Sequence, residues 1–328
     1  MEKKVIYEMS VKKELVTSEM LQSWIDITSE IIDPDSMKIS TWGNAYHKYD
    51  AQILSEELKG EDIKKDITVQ IKSQYEMFNI YDRCDESLLL IRIKVFDRNQ
   101  DQRVDNLIQD IMCKGLGKLA YKHSSDDIFE QNLEDVALYK LHIGDIKGKK
   151  ITHHQNMPKW EIIDIECNPG HQHLEAGIWF GAYYCTWFGE DFYQYIPKEK
   201  LKAFINCYEN VELENGVIRI KLYENMWDYA NPVNRNRQWD FRRSVGIDEV
   251  AHSLHGRKKT KVTDPVMERL PNDENGNEVI RLYFTSGGEN VCRSQADMEI
   301  TYTHTPDGKL LHEERRKLKN EDSKDDIN

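Results

Sequence analysis

A chain of 328 residues, 39% hydrophobic and 31% charged, is long enough to bury one large core or two medium ones. It lies far from disordered, collagen-like and membrane compositions. Lys and Arg number 45 and Asp and Glu 58, a net charge of −13, which argues against a general binder of nucleic acid or anionic lipid and favours a basic partner. No run approaches the roughly 20 apolar residues that cross a bilayer, and Met1-Glu2-Lys3-Lys4 leads through Val5-Ile6-Tyr7 straight into polar residues, so a cytoplasmic protein without a membrane partner is expected. The six cysteines, Cys84, Cys113, Cys167, Cys185, Cys207 and Cys292, form neither CxxC pairs nor regular blocks and read as reduced thiols.

In chain order, Val5 to Val11 predicts a short strand. Met20, Leu21, Trp24, Ile25, Ile31 and Ile32 then recur at helical spacing, with Ser18 as cap and Pro34 as stop. Ile67, Val69 and Ile71, and then Leu89, Ile91, Ile93 and Val95, alternate with their neighbours and predict two half-buried strands. From Asp101 to Lys122 the helical period returns through Val104, Leu107, Ile108, Ile111, Met112 and Leu119, which predicts one helix with a break near Gly115. The polar stretch from Gly144 to Pro158 is the natural internal boundary.

Beyond it come a strand at Trp160 to Glu166, a Pro169-Gly170 turn, the aromatic run Trp179 to Tyr195, and a helix opened by Pro197. Asn215-Gly216, set between Val211-Leu213 and Val217-Leu222, predicts a hairpin. Asn231-Pro232 starts a helix that Gly246 interrupts before a shorter one around Val250 to Leu254. Strands follow at Val279–Phe284 and Met298–Thr303. Elements cluster without strand–helix alternation and no phosphate loop follows a strand, so the fold class is α+β, with mixed or antiparallel sheets and packed helices. The expected domains are an α+β half over 1–147, a second over 148–312 that holds the aromatic segment and the hairpin, and a charged tail over 313–328. The two compositions leave a relation between the halves open.

His171, His173 and Glu175 share one face if their segment is extended, and two imidazoles with a carboxylate suit iron, manganese or zinc. That spacing resembles the HxH motif of cupins, although Glu175 arrives early and the chain lacks the strands of a jelly roll. Surface histidines beside a turn are the plainer alternative. His153-His154 reads as a loop pair, and Cys185 as a buried thiol. Ser253 and Ser286 lack a GxSxG turn, and pairs such as Asp126-Asp127 read as solvated charge. Between Val233 and Lys261 eight basic residues, including Arg235, Arg237, Arg242 and Arg243, face three acidic ones, which leaves contact with phosphate or nucleic acid as a minor alternative to local ion pairs.

The run Trp187-Phe188-Gly189-Glu190-Asp191-Phe192-Tyr193-Gln194-Tyr195-Ile196-Pro197-Lys198-Glu199-Lys200-Leu201 resembles segments of bacterial immunity proteins of polymorphic and contact-dependent toxin systems. Leu222-Tyr223-Glu224-Asn225 and Asn234 to Arg243 extend the resemblance over the third quarter of the chain. It implies a noncatalytic, cofactor-free cytoplasmic antitoxin that binds and masks a cognate toxin, with Trp187, Tyr193, Arg237 and Trp239 as the partner-binding residues to test first. The competing expectation is a metal-dependent enzyme built on His171, His173 and Glu175.

Overall fold

The computed structural model describes residues 3–32, 38–41, 47–48, 50, 52, 68–72, 76–82, 88–96, 102–154, 157–257, 267–270, 273, 275–285, 296–305 and 309–318. It confirms the α+β class with antiparallel pairing throughout, and it divides into two compact units, Met1–His255 and Gly256–Asn328.

The first unit opens with β1 (Lys4–Lys12) and α1 (Ser18–Ser29), then β2 (Lys38–Thr41), β3 (His47–Lys48), β4 (Thr68–Lys72), β5 (Met77–Asp82) and β6 (Leu88–Phe96). Next come α2 (Gln102–Cys113), β7 (Gly117–Ser124), α3 (Ser125–Asn132), α4 (Val136–His142), β8 (Ile151–His154), β9 (Met157–Ile163), β10 (Gln172–Glu175), β11 (Ile178–Gly181) and β12 (Cys185–Phe188). The unit closes with α5 (Lys198–Lys202), β13 (Glu209–Glu212), β14 (Ile218–Lys221), α6 (Pro232–Val245) and α7 (Ile247–Arg257). Ten of these strands form one antiparallel sheet in the order β13-β14-β12-β7-β1-β6-β5-β4-β2-β3, while β8-β9 and β10-β11 are separate hairpins.

The N-terminal strand is the middle of the sheet and not a minor element. Between β6 and β7, it is buried on both faces: Val5, Tyr7, Met9 and Val11 join the main core with α1 and α2, while Ile6 packs with Tyr121 and Tyr183 on the other side. That second face also takes in polar groups. Ser10 Oγ donates to Gly177 O at 2.7 Å, and Glu8 Oε2 accepts from Arg92 Nε at 2.6 Å and from the Tyr121 hydroxyl at 3.2 Å. Burial pushes the Glu8 carboxyl up despite these partners.

Several expectations are corrected. The α1 cap is Thr17, whose side chain accepts from Met20 N, and not Ser18; Pro34 lies outside the described residues. The single helix expected over 101–122 is a helix and a strand. Gly115, at φ 74, reverses the chain after α2, and the residues beyond it enter the sheet, where Ala120 and Leu119 are needed as core between β1 and β12. The expected boundary at 147/148 cuts through this sheet, because β7 pairs with β12, Tyr121 opposite Thr186.

The hairpin forms as expected: Asn215 and Gly216 both take positive φ, 54 and 73, between β13 and β14. Asn231 caps α6 by accepting from Val233 N at 2.9 Å, with Pro232 in the first turn.

The second unit is an antiparallel sheet in the order β15 (Met267–Leu270), β16 (Glu278–Phe284), β17 (Met298–His304) and β18 (Leu310–Lys317), with Tyr283 and Ile300 buried. The charged tail expected from residue 313 therefore begins as a paired strand, Glu313 opposite Tyr302 and Arg315 opposite Ile300. Alternating charge does not prevent pairing when, as here, every β18 side chain is exposed.

Candidate functional site

The Pro169-Gly170 turn is clamped by the end of α3. Gln131 accepts from Gly170 N at 3.2 Å through its side chain and from the Asn168 side-chain amide at 2.9 Å through its carbonyl, and Gln172 N donates to Asn132 Oδ1 at 2.8 Å. A Cβ on Gly170 would stand 2.7 Å from Gln131 Cγ, so the approach depends on glycine. This clamp fixes where His171 and His173 emerge.

The two imidazoles do come together, with ring centroids 5.0 Å apart, but Glu175 does not join them. It is the last residue of β10, immediately before the Ala176-Gly177 reversal into β11, and is buried at that end of the hairpin. Its place is taken by Glu166, five residues before His171, and by Asp248 and His252, far off in sequence. Glu166 lies in the short 3-10 turn Ile165–Cys167, and Asp248 and His252 sit four apart on one face of α7. Glu166 carboxylate oxygens stand 3.4 Å from His171 Nε2, 3.4 Å from His173 Nε2 and 3.5 Å from His252 Nε2.

Arg242 of α6 divides this cluster in two. Its side chain is fully buried: Nη1 donates to His171 O at 2.7 Å, Nε to Asp248 Oδ2 at 3.0 Å, and Nη2 contacts both His171 Nε2 and Asp248 Oδ1. His171 Nδ1 faces the Asn168 carbonyl, and its Nε2 meets the Arg242 guanidinium. Burial alone would raise the Asp248 carboxyl, yet the hydrogen bonds of His171 and Arg242, with their charges, hold it well below the carboxylate range. Burial pushes His173 down; Glu166 opposes this, while His171, Arg242 and His252 add to it. His173 is therefore a neutral imidazole near pH 7, with a lone pair to offer.

The proposed partner residues fare unevenly. Trp187 is 2% exposed, paired in β12 between Ala120 and Arg219, and is corrected to a core residue: it cannot reach a partner while the sheet is intact. Tyr193 is also held inward, its hydroxyl donating to Gly216 O at 2.7 Å and accepting from Ile218 N at 3.2 Å. Arg237 and Trp239 are half-buried on α6, Arg237 leaning on Asn234 and Trp239 lying 6.2 Å from the His171 ring. Of the Arg-rich segment, Arg235 pairs with Asp127, Arg242 with Asp248 and Arg243 with Asp240; Lys258, Lys259 and Lys261 lie outside the described residues.

The surface that the sequence reading missed runs from α3 to β9. Phe129, Leu138, Leu141, Ile143, Ile151 and Trp160 are exposed, Leu141 at 74%. These elements pack on one another: the Phe129 ring meets His142 edge-on, Asp135 bridges to Ile162, and Ile163 N donates to Glu134 O at 2.8 Å. Leu138 and Leu141, three apart, share the face of α4 that points away from buried Tyr139. Helical spacing alone marks such residues as core, which is why the pattern misleads.

No family model and no curated protein matches the sequence. Among solved structures, the chain is similar to the Pseudomonas aeruginosa T6SS protein PA0821, at 10% identity and a TM-score of 0.45, over 77% of this chain and 81% of that one. Among the described residues no helix is long and apolar enough to cross a membrane.

Proposed function

We propose that the chain is a noncatalytic binding protein that masks a basic toxin protein of a bacterial toxin system. The observation that carries this reading is the exposure of Phe129, Leu138, Leu141 and Trp160, on elements that pack together, on a molecule of net charge −13. Large apolar side chains that water must solvate are retained where a partner covers them, and aromatic and leucine side chains at the centre of an interface supply slow dissociation. The acidic excess supplies the complementary half: it speeds encounter with a basic partner and disfavours acidic ones. The resemblance of residues 187–201, 222–225 and 234–243 to immunity proteins agrees in class, although those residues serve mainly as packing here.

The test is co-expression with any toxin-domain gene found in the neighbourhood of its own. Protection of the cells and recovery of a stable complex are expected, and both should be lost in a Phe129→Asp, Leu141→Asp double variant whose circular dichroism matches wild type. Protection without physical association, or an undiminished complex in the double variant, would overturn the reading.

A further inference from the structure

We infer that Glu166, His173 and His252 form a binding site for a divalent transition-metal ion of the zinc type. Their ligand atoms lie within 4.8 Å of one another, drawn from a 3-10 turn, a strand and a helix that meet only in the folded chain. Two donors each about 2.0–2.2 Å from a tetrahedral ion stand about 3.3–3.6 Å apart. Glu166 Oε1 stands 3.4 Å from His173 Nε2 and Glu166 Oε2 stands 3.5 Å from His252 Nε2, each separation inside that window.

Two further observations select this trio over the other converging set, His171, His173 and Asp248. Arg242 already fills that second set with a fixed positive charge, contacting both His171 Nε2 and Asp248 Oδ1, so a cation has no place there. Asp248 neutralises Arg242, which leaves the Glu166 carboxylate facing three imidazoles and, among the described residues, no lysine or arginine as an ion-pair partner. His173 Nε2, common to both sets, is shut away from solvent and has no hydrogen-bond partner among the described residues, a condition that costs stability in a buried polar atom and that a metal bond would relieve.

Two imidazoles and one carboxylate leave a fourth position for water or for a donor from a partner protein. The ion would tie the Ile165–Cys167 turn and β10 to α7. The site shares no residue with the exposed apolar face, so each reading can fail without the other.

Zinc chloride titrated into the full chain tests it, followed by calorimetry and by thermal unfolding. One equivalent should bind and raise the melting temperature, since a ligand of the native state alone stabilises it. His252→Ala and Glu166→Gln should each weaken binding at least about tenfold and abolish the thermal shift, whereas His153→Ala, at an exposed position away from the cluster, should leave both unchanged. His252 and Glu166 are exposed, so neither substitution endangers the fold. Cobalt in place of zinc should give the intense visible bands of a four-coordinate ion. No zinc binding, binding undiminished in both ligand variants, or only the weak bands of six-coordinate cobalt would overturn the assignment.

Discussion

Arg235 of α6 holds the carboxylate of Asp127 at the start of α3 with both terminal nitrogens, one at 3.0 Å, across 108 positions of sequence. The same carboxylate accepts from His123 Nε2 at 2.6 Å, and His123 Nδ1 accepts from Tyr184 N at 2.9 Å, which fixes the ring tautomer. One fully buried carboxylate thus ties β7, α3, α6 and the start of β12 together. Replacing it strands two donors. Asp127→Ala should cost about 3–5 kcal/mol of unfolding free energy, the range for breaking one side of a buried ion pair, measured by urea denaturation.

The same group sets a dependence on acid. Burial works to raise Asp127, but His123 and Arg235 outweigh it, so its folded pKa lies below the ordinary 3.8; Asp248 is displaced the same way. A depressed carboxyl contributes stability that is present above the unfolded value and is lost as pH falls through the folded one. Glu8 is raised by burial and opposes this trend, because its ionised form is the one the fold disfavours. Asp164, Glu212 and Asp273 are lowered as well, so the depressed carboxyls outweigh Glu8 and stability falls as pH drops from about 5 to about 2; Asp127→Asn should show a shallower fall than wild type across that window in the same denaturation series.

Gly189, between β12 and the 3-10 turn Glu190–Gln194, donates its N–H to Lys118 O at 2.9 Å. Its φ of −82 suits any residue, so the demand for glycine here is one of space. A Cβ would stand 2.3 Å from Gly117 O, a backbone atom that cannot swing aside. Gly189→Ala should lower stability by roughly 1–3 kcal/mol, as overpacking does, with the start of β7 showing the largest loss of amide exchange protection. Unchanged protection there would mean that the two segments separate more easily than this contact implies.

How much of this the sequence carries depends on how local the cause is. The hairpin at Asn215-Gly216 and the start of α6 at Asn231-Pro232 are legible because two adjacent residues determine each backbone conformation. The segment after Gly115 is not, since its apolar spacing fits either period and only pairing with β1 and β12 decides for the strand. The centrality of β1 is hidden for a related reason: Glu8 and Ser10 look like a solvated face until Arg92, Tyr121 and Gly177 are placed beside them. At the site, His171 and His173 can be found by eye, whereas Glu166 and the Asp248/His252 face of α7 converge only through the tertiary fold. The i, i+4 spacing of Asp248 and His252 was the available signal.

Trp187 and Leu141 should respond in opposite ways, because one is core and the other surface. Trp187→Ala removes a side chain packed in the middle of the sheet and should cost about 3–5 kcal/mol. Leu141→Asp, at a residue 74% exposed, should change stability by less than about 0.5 kcal/mol while disrupting partner capture. Chemical denaturation of the two single variants, set beside a pull-down, separates packing from recognition.

The cysteines give a labelling order that reports on the fold directly. Alkylation requires thiolate and access. Cys185 has neither: burial pushes its thiol up to about 12, Asp105 adds to this, and the side chain is enclosed in β12 between β7 and β14. Cys167 is exposed, and although slight burial and then its hydrogen bond to Asp164 raise its thiol, reagent can reach it. Iodoacetamide followed by peptide mapping should therefore modify Cys167 in the native protein and Cys185 only once urea unfolds the sheet. Since Cys167 adjoins Glu166, zinc bound at Glu166, His173 and His252 should also slow its modification, and His252→Ala should restore the original rate. Labelling of native Cys185 as fast as Cys167 would contradict the placement of β12 inside the sheet.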